Sequence, residues 1–379
     1  MGFASISTDT YLPAFPTLSE VFHVAPGRIQ LTLSSYLIGF SVGQLFWGPM
    51  SDRYGRRRPI AGGMILFAAG SIGCAISGSA NQMIAWRVLQ ALGACSGPVL
   101  ARAMVRDLYA RDRSAQMLST LMLVMGVAPL LGPIVGAQIM GFWSWRAIFW
   151  SLAVFGIVTL LAIFMLPETL PPDRRNHQGL AAIWTGYVSL VRHPRLLGYA
   201  AAGGFYYCGA YAFIAGTPFA YIEFYRVPAQ AYGFLFGINI AGMMTANFLN
   251  SRLVTRLGAD RIFRFGTALA ATSGVVTALD ACFGWGGLYG LVAPLFFYFC
   301  ASGLIVANSV ASALAAFPRA AGAASALVGA GHYGSGILSA AMLGWFADGT
   351  PWTMGWIIGL MGLCSLGSTL LLALQRDSK

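Results

Sequence analysis

Two charged side chains stand where an apolar chain should have none. Asp9 lies inside the first hydrophobic stretch, ahead of Tyr11, Pro13 and Pro16, and Arg87 lies inside another, one helical turn before Gln90. An ionised carboxylate in the middle of a membrane span costs about 2.5 to 3.5 kcal/mol on insertion scales, and protonation removes that cost. A lone buried acid is therefore suited to loading a proton on one side of a membrane and releasing it on the other. The competing reading of Asp9 is an acid that merely caps or pairs within a helix bundle. Arginine keeps its proton under ordinary conditions, so Arg87 can hold or release a carboxylate, or bond main-chain carbonyls and tighten helix packing. The residues leave both roles open, with Gln90 the expected neighbour. His332, between Gly331 and Tyr333, is either a second titrating group or a satisfied buried histidine.

A third knot of charge is Gly48-Pro-Met-Ser-Asp-Arg-Tyr-Gly-Arg-Arg-Arg-Pro59, between two long apolar runs. Gly48 and Pro49 are expected to end one helix, with Asp52 and Arg53 in the first turn beyond it, and Pro59 suits the first position of the next. Gly48, Asp52, Arg53, Gly55 and Arg56 read as a conformational latch, against the alternative of a solvated anchoring loop. A fourth set is apolar and adaptable. Tyr36, Met125, Tyr206, Tyr207, Tyr211, Phe297 and Tyr298, with Asn239 as a polar member and Tyr11 beside Asp9, could line a cavity for bulky amphipathic compounds.

The elements that position these residues follow from composition. The chain of 379 residues is 57% hydrophobic and 9% charged, against about 25% charged for a soluble domain. At about 20 residues per spanning helix it accommodates twelve spans and no extramembrane catalytic domain. Span 1 covers about residues 1 to 22, beginning without a basic tail, so that a start further upstream is expected. Spans 2 to 6 cover about 27 to 48, 59 to 80, 82 to 104, 115 to 140 and up to Leu166, before Pro167-Glu168-Thr169. A polar linker at 167 to 194, with a possible amphipathic piece from Leu180 to Val191, precedes six more spans: 195 to 222, 232 to 255, 260 to 282, 286 to 312, 321 to 346 and 352 to 374. Span 5 holds Gly126, Pro129, Gly132, Pro133 and Gly136. Gly132 and Gly136 share a face that lets a neighbouring backbone approach, and the prolines bend the helix.

The net charge of +11 is placed by topology. Nineteen of 23 Lys and Arg fall in alternate loops and the tail, which the positive-inside rule makes cytoplasmic, and this distribution argues against nucleic acid as a partner. The only lysine is Lys379, so neither a Walker A loop nor a retinal Schiff base is possible. The six cysteines are scattered with no metal-ligand spacing, and no cofactor is expected. Sliding the chain by 203 residues places Gly258 on Gly55, Arg256 on Arg53 and Arg261 on Arg58. That is the mark of two parallel six-helix repeats, 1–166 and 195–379, with the substrate site expected between them near the midplane.

With these residues in hand, the chain resembles the drug:proton antiporters of the major facilitator superfamily. The resemblance rests on the Gly48 to Pro59 loop, on Arg87-x2-Gln90-x2-Gly93, and on Gly126 to Gly136, which it associates with exporters. Asp9-Thr-Tyr-Leu-Pro-Ala-Phe-Pro16 and Arg102-Ala-Met-Val-Arg-Asp-Leu-Tyr109 look like the bicyclomycin-resistance (Bcr/CflA) family of bacterial inner-membrane exporters. The departure from that family's pattern is the short N-terminus. The resemblance implies an all-α, twelve-span fold that rocks between two states, H+ as the coupling ion, and a part in proton coupling for Arg87. Asp52 paired with an arginine or a helix N-terminus would favour the outward-facing state, and the span 5 helix would form part of the moving interface between halves. The expected partners are a small drug molecule, of bicyclomycin or amphenicol type, and the bilayer. The protein is expected to act as a monomer with a cytoplasmic C-terminus. Within the same fold the alternative is a symporter importing a nutrient. From another class, an intramembrane enzyme would need clustered His, Asp or Ser, and the four histidines are dispersed.

Overall fold

The computed structural model describes residues 2–109, 111–175, 190–191, 193–315, 317 and 321–377, without the side chains of 106, 111–116, 118–120, 122–125, 174, 195, 314–315, 321–323 and 373–377. The Met125 side chain, linker residues His177 and Arg192, and most of the expected amphipathic piece at 180–191 lie outside the described residues. The chain divides into two compact units, Met1–Trp184 and Thr185–Lys379.

Unit one begins with a broken span. Its pieces are α1 (Phe3–Asp9), a 3-10 turn (Leu12–Ala14) and α2 (Phe15–Val21), where a single helix over residues 1 to 22 is expected from the hydropathy. Proline has no N–H, and a mid-helix proline costs about 3 kcal/mol. Pro13 and Pro16 come three residues apart, and the chain turns instead of continuing. Five long helices follow: α3 (Pro26–Tyr54), α4 (Arg57–Ile76), α5 (Ala80–Leu108), α6 (Arg111–Phe142) and α7 (Trp145–Phe164).

Gly48 and Pro49 do not end α3, contrary to the sequence reading. The helix runs through both to Tyr54, because inside a membrane bundle neighbouring helices and local side chains make up for the bond a proline removes. Around this point Trp47 Nε1 donates to the Leu92 carbonyl at 2.7 Å and Ser51 Oγ to the Gly48 carbonyl at 2.8 Å. What ends α3 is Gly55, at φ +88° and ψ 175°, a backbone region essentially reserved for glycine. Asp52 and Arg53 are thereby the last turn of a helix and not the loop after it. Pro59 takes the third position of α4, where its missing N–H is again harmless.

Unit two comprises α8 (Pro194–Thr217), which passes at Pro218 into a π-turn (Pro218–Phe224), then α9 (Ala229–Leu257), α10 (Ala259–Phe283), α11 (Gly287–Ala315), α12 (Ala321–Trp345) and α13 (Trp352–Asp377). The fold is all-helical with twelve membrane-crossing segments among the described residues. Helices α3, α4, α5, α7, α9, α10, α11 and α13 are each long and apolar enough to cross a membrane unaided. The repeat is visible in both backbone and packing. α3 and α9 are each 29 residues long, offset by 203 at both ends, and each stops at a positive-φ glycine, Gly55 or Gly258. In both units the second span packs on the fourth, the third on the fourth and sixth, and the first on the fifth.

Glycines set how closely α5 is held. A Cβ at Gly39 of α3 would overlap the Val88 carbonyl, and one at Gly70 of α4 would come 2.5 Å from the Gln90 nitrogen. The stretch of α5 carrying Arg87 and Gln90 is therefore gripped from two sides by backbone, as small residues allow in membrane helices.

Candidate functional site

Asp9 is the last residue of α1 because of Pro13, which has no N–H to give to the Asp9 carbonyl four residues back. Its side chain is 5% exposed. Thr8 Oγ1 lies 2.8 Å from Asp9 Oδ1. On the opposite side α6 approaches with no side chain between: a Cβ at Gly132 would come 2.9 Å from the Asp9 Cβ, and one at Gly136 would overlap the Thr10 carbonyl. The neighbouring backbone that the glycines of span 5 admit is thus the break in span 1. No cation lies within ion-pairing distance of Asp9 among the described residues.

Arg87 is fully buried and works as a junction. Its Nη1 donates to the Ser7 carbonyl at 3.1 Å and to Gln90 Oε1 at 2.6 Å, and Nε reaches the Thr32 carbonyl at 3.5 Å. Gln90 Nε2 passes the connection to Ser71 Oγ at 2.8 Å. The guanidinium lies between the rings of Tyr11 and Tyr36, 4.2 Å from each centroid, a contact worth about 2 kcal/mol per ring when desolvated. Tyr11 Oη and Thr32 Oγ1 are 3.0 Å apart. Two side chains on α5, Arg87 and Gln90, therefore tie together α1, α3 and α4. Its Nη2 has no acceptor among the described residues, so the junction keeps a spare donor in a dry place.

The arginine loop is organised by acids from elsewhere in the unit. Arg56 is 7% exposed and pairs with Asp52 at 2.5 Å and Asp107 at 2.8 Å, while its Nη1 donates to Ser51 Oγ at 2.7 Å. Burial would lower the Arg56 pKa, but bonds to Asp107 and Asp52 outweigh it and hold the pKa above the ordinary arginine value. Glu168, just past α7, caps α4: its carboxylate accepts the N–H groups of Arg56 at 2.8 Å, Arg57 at 3.1 Å and Leu170 at 3.0 Å. Partial burial would raise the Glu168 pKa, yet those N–H groups and the nearby Arg175 bring it below the usual glutamate range. Arg53 is exposed, its guanidinium 5.6 Å from the Tyr54 ring. Asp107 and Glu168 are not among the residues the sequence singles out, because nothing local announces a pairing across 51 or 112 residues.

The aromatic candidates separate into different environments. Tyr11 and Tyr36 each turn a ring face to Arg87. Tyr206 and Tyr298 stack at 5.1 Å and exchange hydrogen bonds, each hydroxyl donating to the other's carbonyl at 3.3 and 3.0 Å. Tyr298 is fully buried in this zipper between α8 and α11, and Phe297 faces outward at 52% exposure. Asn239 is buried, its Nδ2 donating to the Leu235 carbonyl at 2.8 Å. Tyr207 stacks on His332 at 4.8 Å and lies within ring contact of Tyr211 and Tyr333. His332 is itself buried against Gly203. Asp280 closes the turn after α10 by accepting the Gly286 N–H at 2.9 Å. No group of three or more potential metal ligands occurs among the described residues.

Comparison with known proteins agrees with this architecture. The family model described as Major Facilitator Superfamily matches residues 1–300. A bicyclomycin resistance protein homolog of Haemophilus influenzae is 33% identical over 336 residues, 88% of this chain and 84% of its own. Multidrug resistance protein D of Escherichia coli is 30% identical, over 96% of this chain and 91% of its own. Among solved structures, the xylose transporter of E. coli in a partially occluded inward-open conformation superposes with a TM-score of 0.72 at 18% identity, over 96% of this chain and 94% of that one. Together with the broken first span, the arginine loop and the repeated helix pairings, these similarities show that the chain is a multi-pass membrane transporter belonging to the major facilitator superfamily, among its bicyclomycin-resistance relatives.

Proposed function

We propose that the protein is a proton-coupled antiporter that exports small amphipathic compounds, of bicyclomycin or amphenicol type, across the bacterial inner membrane by alternating access. The observation that carries the reading is Asp9: a carboxyl 5% exposed, at a break in a membrane span, with no cation paired to it among the described residues. Such a group favours a bound proton when sealed and sheds it when water reaches it. Arg87, one hydrogen bond away from α1 through Ser7, supplies the fixed positive charge that makes release possible. Each proton moving inward delivers about 2.3 kcal/mol per 100 mV, enough to build a useful gradient of a neutral drug.

In this proposal residues 1–166 and 195–379 are the rocking halves, 167–194 links them, and the protein acts as a monomer with its C-terminus in the cytoplasm. Tyr207 and Tyr211 contact substrate. The latch of Asp52, Arg56 and Asp107 stabilises one of the two states. Drug export is supported by the names of the relatives, which are resistance proteins.

The test is proton movement in proteoliposomes on addition of bicyclomycin or chloramphenicol, in wild type and Asp9→Asn. Compound-driven proton flux lost in the variant is the expected result. Equal flux in both would remove Asp9 as the carrier, and compound and protons moving in the same direction would make the protein a symporter.

A further inference from the structure

Three hydroxyl side chains surround Asp9 in sequence, and they are not equivalent. Ser7 Oγ donates to the Phe3 carbonyl at 2.5 Å and Thr10 Oγ1 to the Ile6 carbonyl at 2.6 Å, bonds internal to the helix. Thr8 Oγ1 alone reaches the carboxyl, at 2.8 Å from Asp9 Oδ1, and it is also 3.0 Å from the Ala4 carbonyl and 3.2 Å from that of Ser5. A hydroxyl has one hydrogen to give. It cannot serve the carboxylate and the helix carbonyl at once.

We propose that Thr8 is a positioning residue for the proton carrier, its hydroxyl turning with the protonation state of Asp9. This rests on the reading of Asp9 given above. With Asp9 ionised, the Thr8 hydrogen points at Oδ1, and the ion receives a charge-assisted bond where no cation pairs with it. When a proton from the aqueous phase binds Asp9, the carboxyl O–H donates to Thr8 Oγ1, and the Thr8 hydrogen turns to the Ala4 carbonyl. Thr8 keeps its own proton throughout, and the arriving proton stays on the carboxyl. Every donor is satisfied in both states, so the switch costs no orphaned hydrogen bond in a dry interior. The bond to the charged form is the stronger of the two by roughly twofold, so Thr8 favours release.

The other groups around the carboxyl leave this role to Thr8. Among the described residues, Arg87 on α5 and the Tyr36 hydroxyl on α3 are the other polar groups that interact electrostatically with Asp9. From α6 the described contact is glycine backbone at Gly132, which offers no side chain.

The experiment is an infrared titration of the protonated carboxyl band in the full-length protein reconstituted in lipid, with Asp9→Asn identifying the band. Wild type, Thr8→Val and Thr8→Ser are compared. Valine keeps the shape of threonine and removes the hydroxyl; serine keeps the hydroxyl. The expected result is a titration midpoint about one pH unit higher in Thr8→Val, with Thr8→Ser at the wild-type value and all three proteins melting alike. A Thr8→Val midpoint equal to wild type overturns the proposal, as does a Thr8→Ser midpoint that follows valine. Failure of the underlying reading looks different: Asp9→Asn would then retain compound-driven proton flux whatever the Thr8 variants do to the band.

Discussion

The seat of Asp9 against α6 is open to a graded test at two glycines on one face. A Cβ added at Gly136 would overlap the Thr10 carbonyl, with the Thr10 carbonyl carbon at 2.7 Å and its Cα at 3.1 Å. All three atoms are main chain, so no rotamer change can relieve the contact, and ordinary spacing is restored only by moving span 1 or α6 by more than about 1 Å. Overpacking of this kind costs about 1 to 3 kcal/mol, offset by about 1 kcal/mol of helix propensity for alanine over glycine. A displacement of about 1 Å at a reacting group can cost about 100-fold in rate. Gly136→Ala is therefore expected to lower proton-coupled transport by one to two orders of magnitude while lowering thermal stability only modestly. Gly132→Ala, whose Cβ would meet the Asp9 Cβ at 2.9 Å and backbone atoms no closer than 3.4 Å, should lose less of both. Gly62→Ala on α4, where nothing lies within 4 Å, should leave transport intact and raise stability by up to about 1 kcal/mol. The assay is compound-driven proton flux per folded transporter, with melting followed in the same preparation. Wild-type flux and melting in Gly136→Ala would refute the argument that backbone contact seats the break.

Arg87→Lys should fail although it keeps the charge: a lysine cannot lie flat between Tyr11 and Tyr36 while donating in-plane to Ser7 and Gln90. At least a tenfold loss of transport is expected by proteoliposome flux, and wild-type flux would remove the junction role. Gly55→Ala combines a backbone conformation costing about 1 to 3 kcal/mol with a Cβ 2.6 Å from Glu168 Oε2. Gly258→Ala carries similar strain with nothing within 4 Å. Thermal melting should show the first as the more destabilising, and equal effects would mean Glu168 yields freely. Glu168 itself has a lowered folded pKa, so its contribution is present above the unfolded value of about 4.3 and is lost as pH falls through the lower folded one. Wild type should lose melting temperature across that acidic window more steeply than Glu168→Gln, and parallel curves would contradict the cap.

The membrane class, the number of spans, the arginine loop, the repeat and the residues Asp9 and Arg87 are legible without a structure. A charge inside an apolar run is conspicuous whatever it touches, and hydropathy is a local property of the chain. The close approach at Gly132 and Gly136 is legible as well, since small residues one turn apart define a face; what would press on that face was not. Local rules misplaced the end of α3, because they charge Pro49 its full cost while the bundle around it compensates, and Gly55 marks the stop. They also grouped Tyr206 and Tyr298 with possible cavity residues, whereas the two tyrosines satisfy each other's carbonyls. What only the tertiary structure decided is which groups meet: Glu168 on the N–H groups of Arg56 and Arg57, Asp107 on Arg56, Thr10 backbone on Gly136, Ser7 carbonyl on Arg87. Each contact joins residues on different elements, and its energy depends on distances that helix packing sets, so the sequence names the charges and glycines but the fold chooses their partners.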